Sequence, residues 1–547
     1  MADTTMGSGG AARPGLFLRN ATGLVKSWST FDAFVYSFWS VNLITLGLYG
    51  MSFVYTVPDG QLVAAILIFG VLATFLVITY AMLVSVMPRT GGDYAWQSRV
   101  LGGGLGFVLS ITGWWFTLFL WAPIYANILN VQFFLPLAYT LGWSNVATFF
   151  TSQTGVFVSC LFVLAFVSVV VTLGMETYAR IQKVCFWIGL VGLAVVILLL
   201  LFASQQNFHD AFNREASSLF GVTGDAYQKT IDAGTKAGYV AHNFSYFSLG
   251  PVFLLMPWLA FYMLWPNWGA TLYGEVRGAK DVRKPFWSMF YGLWVTVALV
   301  VVVLILMVKT MGWQFYNAAN AAWYAGAAPV GTWPYPVMFA GWLVDNHLFQ
   351  AALIIVMGLW FFGWAGTLFL SSTRVIFAAA FDRVLPSWAA NISATRRVPY
   401  GSLVLMIVPS VVVSAVWAYK PSFQSVFLDA TAVLALTFLG TVIAAVILPW
   451  RRKDLYDASP IANYKIAGIP TITIVGVITA IFLLFMLYEW SFNSTDLYYT
   501  SFQSTMSSVW YFVATYVVAV VIYVVARVVR SRQGIDLRRI HHEIPVE

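Results

Sequence analysis

The chain has 547 residues, of which 60% are hydrophobic and only 9% charged. Soluble domains carry roughly 25% charged residues, so this composition, with a mean hydropathy of +0.80, excludes a string of water-soluble domains. The balance indicates one polytopic helical membrane body. A formal charge of +8 suggests nucleic acid at first sight, but the placement of the basic residues assigns them to topology instead.

Residues 1–29 open with MADTTMGSGGAARPGLF, small and polar, without the compact apolar stretch of a cleavable signal. They read as a cytoplasmic tail. A spanning helix needs about 20 apolar residues, and twelve stretches qualify: 31–56, 61–87, 104–132, 154–174, 181–203, 249–275, 288–310, 348–376, 401–419, 424–449, 470–489 and 507–529. Lys and Arg concentrate in cytoplasmic loops. With the N-terminus inside, 24 of the 29 basic residues fall on the inner side, and only Arg214, Lys229, Lys236, Lys309 and Lys420 fall outside. Both ends are therefore expected in the cytoplasm, in a multi-pass protein of the cell membrane whose surroundings are lipid and not nucleic acid. Two outer loops are long. Residues 204–248 are polar, and residues 313–346 hold many aromatics and no Lys or Arg, a pattern expected against the outer membrane interface.

Chemistry within the bilayer is sparse. Cys160 and Cys185 lie in apolar runs, as packing residues do, and the five histidines show no ligand spacing, so neither a metal centre nor a cofactor is expected. An enzyme needs clustered acid–base or metal groups, and no such cluster is present. Asp429, in FLDATAVLALTF, is the clearest intramembrane carboxylate. Such residues mark function, or else reach the interface or bond a neighbouring helix. The sixth span, GPVFLLMPWLAFYMLWPNWGATLYGE, packs Pro251, Pro257, Pro266, Gly269 and Gly274 into one apolar run. Proline removes an amide donor and clashes with the preceding turn. The run is therefore kinked or broken, and broken helices in matching positions of two halves point to a transporter binding site. In the first span, Asn42, Thr45, Gly47 and Gly50 interrupt the apolar pattern more weakly.

Several motifs carry a family resemblance. Met87-Pro88-Arg89-Thr90-Gly91-Gly92-Asp93-Tyr94, between spans two and three, resembles the Pro-Arg-small-Gly-Gly-acidic-Tyr signature of the amino acid–polyamine–organocation superfamily. Gly174 to Gln182 is similar to the entry of that family's fifth helix. Glu275-Val276-Arg277 with Pro285 resembles the end of its sixth, and Ser372-Thr373-Arg374 with Asp382 and Leu385-Pro386 the end of its eighth. The resemblance implies a leucine-transporter-like 5+5 inverted repeat plus two helices: residues 30–203 and 249–449 as five-helix repeats flanking the loop 204–248, then 450–529 as helices eleven and twelve and 530–547 as a cytoplasmic tail. It implies a permease that moves amino acids by alternating access, with polyamines or other organic cations as the alternative cargo.

By the same resemblance, Thr45-Leu46-Gly47-Leu48-Tyr49 occupies the Gly-Ser-Gly-Ile-Phe position of the first helix, retaining one of its glycines. Phe261 falls on the aromatic gate, and Trp265 and Asn267 on the substrate-facing turn of the sixth. Asn42, Thr45, Leu46, Gly47, Phe261, Trp265 and Asn267 are thus the candidate substrate residues, with Asn267 otherwise a cap after Pro266. Many relatives carry a lysine where this chain has Gly189. Sodium coupling through Ser371 or Ser372, proton coupling through Asp429 and uncoupled exchange all remain open.

Overall fold

The computed structural model describes residues 23–57, 59–420, 430–492 and 506–544. Asp429 and the start of the predicted tenth span lie outside the described residues. Twelve helices are long and apolar enough to cross a membrane: Thr30–Met51, Leu62–Val86, Gly103–Thr140, Gln153–Thr172, Met175–Phe202, Leu249–Glu275, Arg283–Met311, His347–Phe381, Tyr400–Tyr419, Ala430–Arg451, Thr471–Phe492 and Val509–Arg532. The chain is an all-α polytopic membrane protein. Among the described residues, strand structure is confined to the hairpin of Lys465–Ile466 with Ile469–Pro470 and a bridge between Trp28 and Val276.

Burial sorts the spans into two groups. The first, third, sixth, eighth and tenth are mostly enclosed by protein, whereas the twelfth is almost wholly exposed. A helix apolar on all sides is stable against lipid, so the exposed spans need no further cover. The enclosed spans are also where regular geometry fails. The first is interrupted at Asn42, the sixth at residues 264–267, and the third contains wide turns at Thr112–Thr117 and Asn130–Phe134. Irregular backbone at membrane depth survives where protein buries it.

The described segments before the first span and after the twelfth lie on one face, called here the terminal face. Ser29 caps the first span, accepting from the Asp32 amide while Asp32 accepts from the Ser29 amide. The preceding segment straps that face: Trp28 donates its indole N–H to the Met175 carbonyl at 2.9 Å, and the Arg277 amide donates to the Trp28 carbonyl. On the opposite face, residues 204–248 form helices Gln205–Phe220 and Ala226–Lys236. Residues 313–346 form Trp313–Tyr324 and Pro336–Gly341. This second loop differs from the interfacial layer that its aromatics suggested. Trp333, Tyr335 and Trp342 are buried, and Phe315 stacks on Tyr227 with ring centroids 4.4 Å apart. The helices of residues 204–248 supply a protein partner for Phe315 and Trp342, and Trp333 packs on Tyr49 of the first span, so these rings are covered by protein.

Candidate functional site between the broken first and sixth spans

The break in the first span is made by one residue. Asn42 adopts φ 40° and ψ 95°, a left-handed region that Asn tolerates better than most side chains. Its Oδ1 accepts from the Thr45 amide at 3.3 Å, and its Nδ2 donates to Thr45 Oγ1. The Thr45 carbonyl accepts from Gln132 Nε2 of the third span at 2.9 Å. In the sixth span, regular helix ends at Met263 and resumes as a tight 3₁₀ helix at Trp268. The Pro266 carbonyl at this break accepts from Ser37 Oγ of the first span at 2.9 Å. The two breaks are therefore neighbours, tied by side chains from intact parts of the enclosed spans.

Between them, Asn267 is fully buried. It lies beside the Tyr80 hydroxyl, yet neither its Nδ2 nor its Oδ1 completes a hydrogen bond. Leaving a buried polar group short of hydrogen bonds costs roughly 1–3 kcal/mol, so this amide has bonding capacity that the surrounding side chains do not fill. The cap role open to Asn267 is not used: it makes no side-chain cap to the helix that follows.

Aromatic side chains surround the break. Phe261 packs on Trp121 of the third span at 5.6 Å and on Tyr49 of the first at 6.3 Å. Trp265 donates its indole N–H to the Phe261 carbonyl at 2.7 Å, and its ring meets Trp121, Trp268 and Phe438. Gly47 and Gly50 face the Tyr262 ring, where added Cβ atoms would stand 3.4 and 3.1 Å from it. Leu46 and Thr45 are buried beside them. Toward the opposite face, Phe53 stacks on Trp258 at 4.9 Å and on Tyr324 at 4.8 Å. Trp121, Gln132, Phe53 and Tyr324 were not singled out from the sequence. Three of them are aromatics in aromatic-rich runs and Gln132 is one amide in an apolar helix, so sequence held little signal for them.

The remaining candidates do not form one cluster. Gly189 opposes Trp360 of the eighth span, whose ring lies 2.8 Å from where a Cβ would be, and Trp39 of the first span packs on the same ring at 5.3 Å. A lysine at 189 has no room unless Trp360 moves. Ser371 lies eleven residues beyond Trp360, about 16 Å along the helix axis. Its Oγ meets the Tyr36 hydroxyl at 2.6 Å and donates to the Trp268 carbonyl at 3.2 Å. Ser372 Oγ donates to Leu368 of its own helix. Ser371 therefore ties the first, sixth and eighth spans, and Ser372 turns back on itself.

The quoted motifs converge on the terminal face. Gly91 adopts φ +89° and donates its amide to the Thr271 carbonyl just past the break. A Cβ there would stand 2.5 Å from Ala378, so only glycine fits. Arg374 forks onto Glu275 at 2.9 and 3.2 Å, with both side chains almost fully buried. Arg99 grips Asp382 with both terminal nitrogens, and the C-terminal His541 adds Nε2 to the Tyr94 hydroxyl at 3.1 Å.

Comparison with known proteins agrees with this architecture. The chain is 23% identical over 427 residues to the branched-chain amino acid permease of Lactococcus lactis subsp. cremoris (strain MG1363), covering 76% of this chain and 80% of that relative. The amino acid permease family matches residues 29–522. Nearly the whole membrane body is included in that match, and the chain belongs to the amino acid permease family of the amino acid–polyamine–organocation superfamily.

Proposed function

We propose that the protein is a secondary transporter that moves amino acids by alternating access, binding them between the broken first and sixth spans. The observation that carries this reading is Asn267, a buried amide beside the Tyr80 hydroxyl whose own hydrogen bonds are incomplete, set at the sixth-span break that Ser37 ties to the first span. Helix N-termini at such breaks present free amides and partial positive charge to a carboxylate, and the carbonyls left free at broken ends accept from an ammonium. A zwitterionic α-amino acid satisfies both. The aromatic wall of Trp121, Phe261 and Trp265 suits an apolar side chain, in keeping with the branched-chain name of the Lactococcus relative. Phe261, covered by Phe53, Trp258 and Tyr324, is the gate toward the opposite face. The terminal face, which gathers most of the Lys and Arg, is cytoplasmic, and the membrane is that of the cell.

Purified protein in liposomes preloaded with unlabelled leucine, valine and isoleucine tests this reading. Labelled leucine should enter by exchange, and Asn267→Ala should reduce its apparent affinity. Absence of exchange for every standard amino acid overturns the transporter reading.

A further inference from the structure

Asp93 belongs to the helix Gly92–Val100, which precedes the third span and lies outside the spanning segments. It is fully buried. Its Oδ1 accepts from the Tyr80 hydroxyl of the second span and from Thr441 Oγ1 of the tenth, both at 2.5 Å. Its Oδ2 accepts from Trp114 Nε1 of the third span at 3.1 Å. All three donors are neutral. The cations nearby are engaged with other carboxylates: Arg374 of the eighth span is held by Glu275 of the sixth, and Arg99 by Asp382. His541 of the C-terminal helix lies on Tyr94 and Asp382. The second, third and tenth spans present no Lys, Arg, His, Asp or Glu to Asp93 among the described residues. Of these spans only Tyr80 brings a titratable group.

A buried carboxylate without a cation loses hydration that neutral donors restore only in part. Burial pushes Asp93 up to about 6, against the three hydrogen bonds that oppose the shift. Charge and protonation are thus close in free energy near neutral pH. The position is also mechanical. Gly92 of the same turn lies against the backbone of residues 270 and 271 and the Gly91 amide donates to the Thr271 carbonyl, a few residues past the substrate-facing Asn267, and Tyr80 stands between Asn267 and Asp93.

We propose that Asp93 is the carboxylate that takes up the coupling proton, so that amino acid transport by this chain is driven by a proton gradient. The inference rests on the transporter reading above. The proton reaches Oδ1 through the Tyr80 hydroxyl, which passes on its own proton and takes another from the substrate side, leaving the phenol unchanged. A protonated Asp93 carries an O–H and can no longer accept from all three neighbours. The Asp93 O–H must donate to the Tyr80 or Thr441 hydroxyl, which turns from donor to acceptor and has to place its own proton elsewhere. This rearrangement loosens the hold of the second and tenth spans on the helix Gly92–Val100, which then moves with the sixth span. Release of the proton to the terminal face restores the three bonds.

The test uses full-length protein in liposomes and a labelled mixture of the standard amino acids. Exchange without any gradient tests the transporter reading by itself, and its absence fails that reading before coupling is addressed. Given exchange, an inward gradient of one pH unit should drive up to about tenfold accumulation per proton, and an inward sodium gradient should drive none. Asp93→Asn should bring its substrate only to equal concentrations under the same pH gradient, and Asp93→Glu should recover part of the accumulation. Thr441→Val removes one donor from the carboxylate while leaving the Tyr80 relay in place, and should move the midpoint of driven uptake to higher pH, which serves if Asp93→Asn does not fold. Accumulation by Asp93→Asn equal to that of the unaltered chain overturns the assignment. So does a failure of the unaltered chain to respond to the pH gradient, or an unmoved midpoint in Thr441→Val.

Discussion

Replacing Glu275 isolates the ion pair that joins the end of the sixth span to the eighth. Arg374 is fully buried and its guanidinium is bonded to Glu275 Oε1 and Oε2, with Thr373 Oγ1 as a further neighbour at 3.5 Å. Glu275→Leu leaves that cation buried without a counter-charge. Removing one member of such a pair costs about 3–5 kcal/mol, because the remaining charge has lost both water and partner. Glu275→Gln keeps one acceptor oxygen and should sit at the lower end, about 3 kcal/mol. Replacing both residues, as Glu275→Leu with Arg374→Met, removes the stranded charge, and such exchanges range from neutral to stabilising by about 1–4 kcal/mol. Thermal melting of the detergent-solubilised protein, read by size-exclusion chromatography, separates these cases. The expected order is the single Leu variant lowest, the Gln variant next, and the double variant near the unaltered chain or above it. A single Glu275→Leu variant that melts like the unaltered chain refutes the claim that the pair is desolvated. A double variant as unstable as the single one refutes the attribution of the loss to stranded charge.

Phe261→Ala should lower exchange of labelled leucine at least several-fold while the folded yield holds, and Gly47→Leu should abolish it by driving a side chain into Tyr262; normal exchange in both counts against the site. Gly189→Lys should overpack against Trp360 and cost about 1–3 kcal/mol, with Trp360→Ala in the same chain restoring the melting temperature. Asp93 has its carboxyl raised in the folded chain, so between about pH 4 and pH 6 the folded chain holds a proton that the unfolded chain has lost. Its contribution to stability is present below that window and lost as pH rises through it, by about 3 kcal/mol for a rise of roughly two units. The melting temperature of Asp93→Asn should therefore lack this fall, read as the difference between the two pH profiles. Ala327→Cys should react with an impermeant maleimide from outside intact cells and Arg539→Cys should not, if the terminal face is cytoplasmic.

The membrane body was legible because hydropathy alone separates twelve apolar runs, and because prolines at 251, 257 and 266 announce the sixth break. The first break was fainter, since Asn42 does the work with an unusual φ and a single side chain. What sequence could not give is the company each residue keeps. Ser371 and Gly189 fit one motif-based ion site on paper, but eleven residues of helix separate Ser371 from the Trp360 that faces Gly189. Asp93 was visible only as one letter of a signature. Its neutral shell comes from spans two, three and ten, 13 to 348 residues away along the chain, and no local pattern encodes that. The aromatics of residues 313–346 read as interfacial because the side chains that cover them, Phe212 for Phe315 and Trp342 and Tyr49 for Trp333, lie far earlier in the chain.

Uptake of labelled amino acids by the purified protein in liposomes, with Asn267→Ala alongside, tests the central claim most directly. Saturable exchange of an amino acid that is weakened in the variant is the predicted result. A protein that is folded and inserted yet exchanges no amino acid, or one whose exchange is untouched by Asn267→Ala, contradicts it.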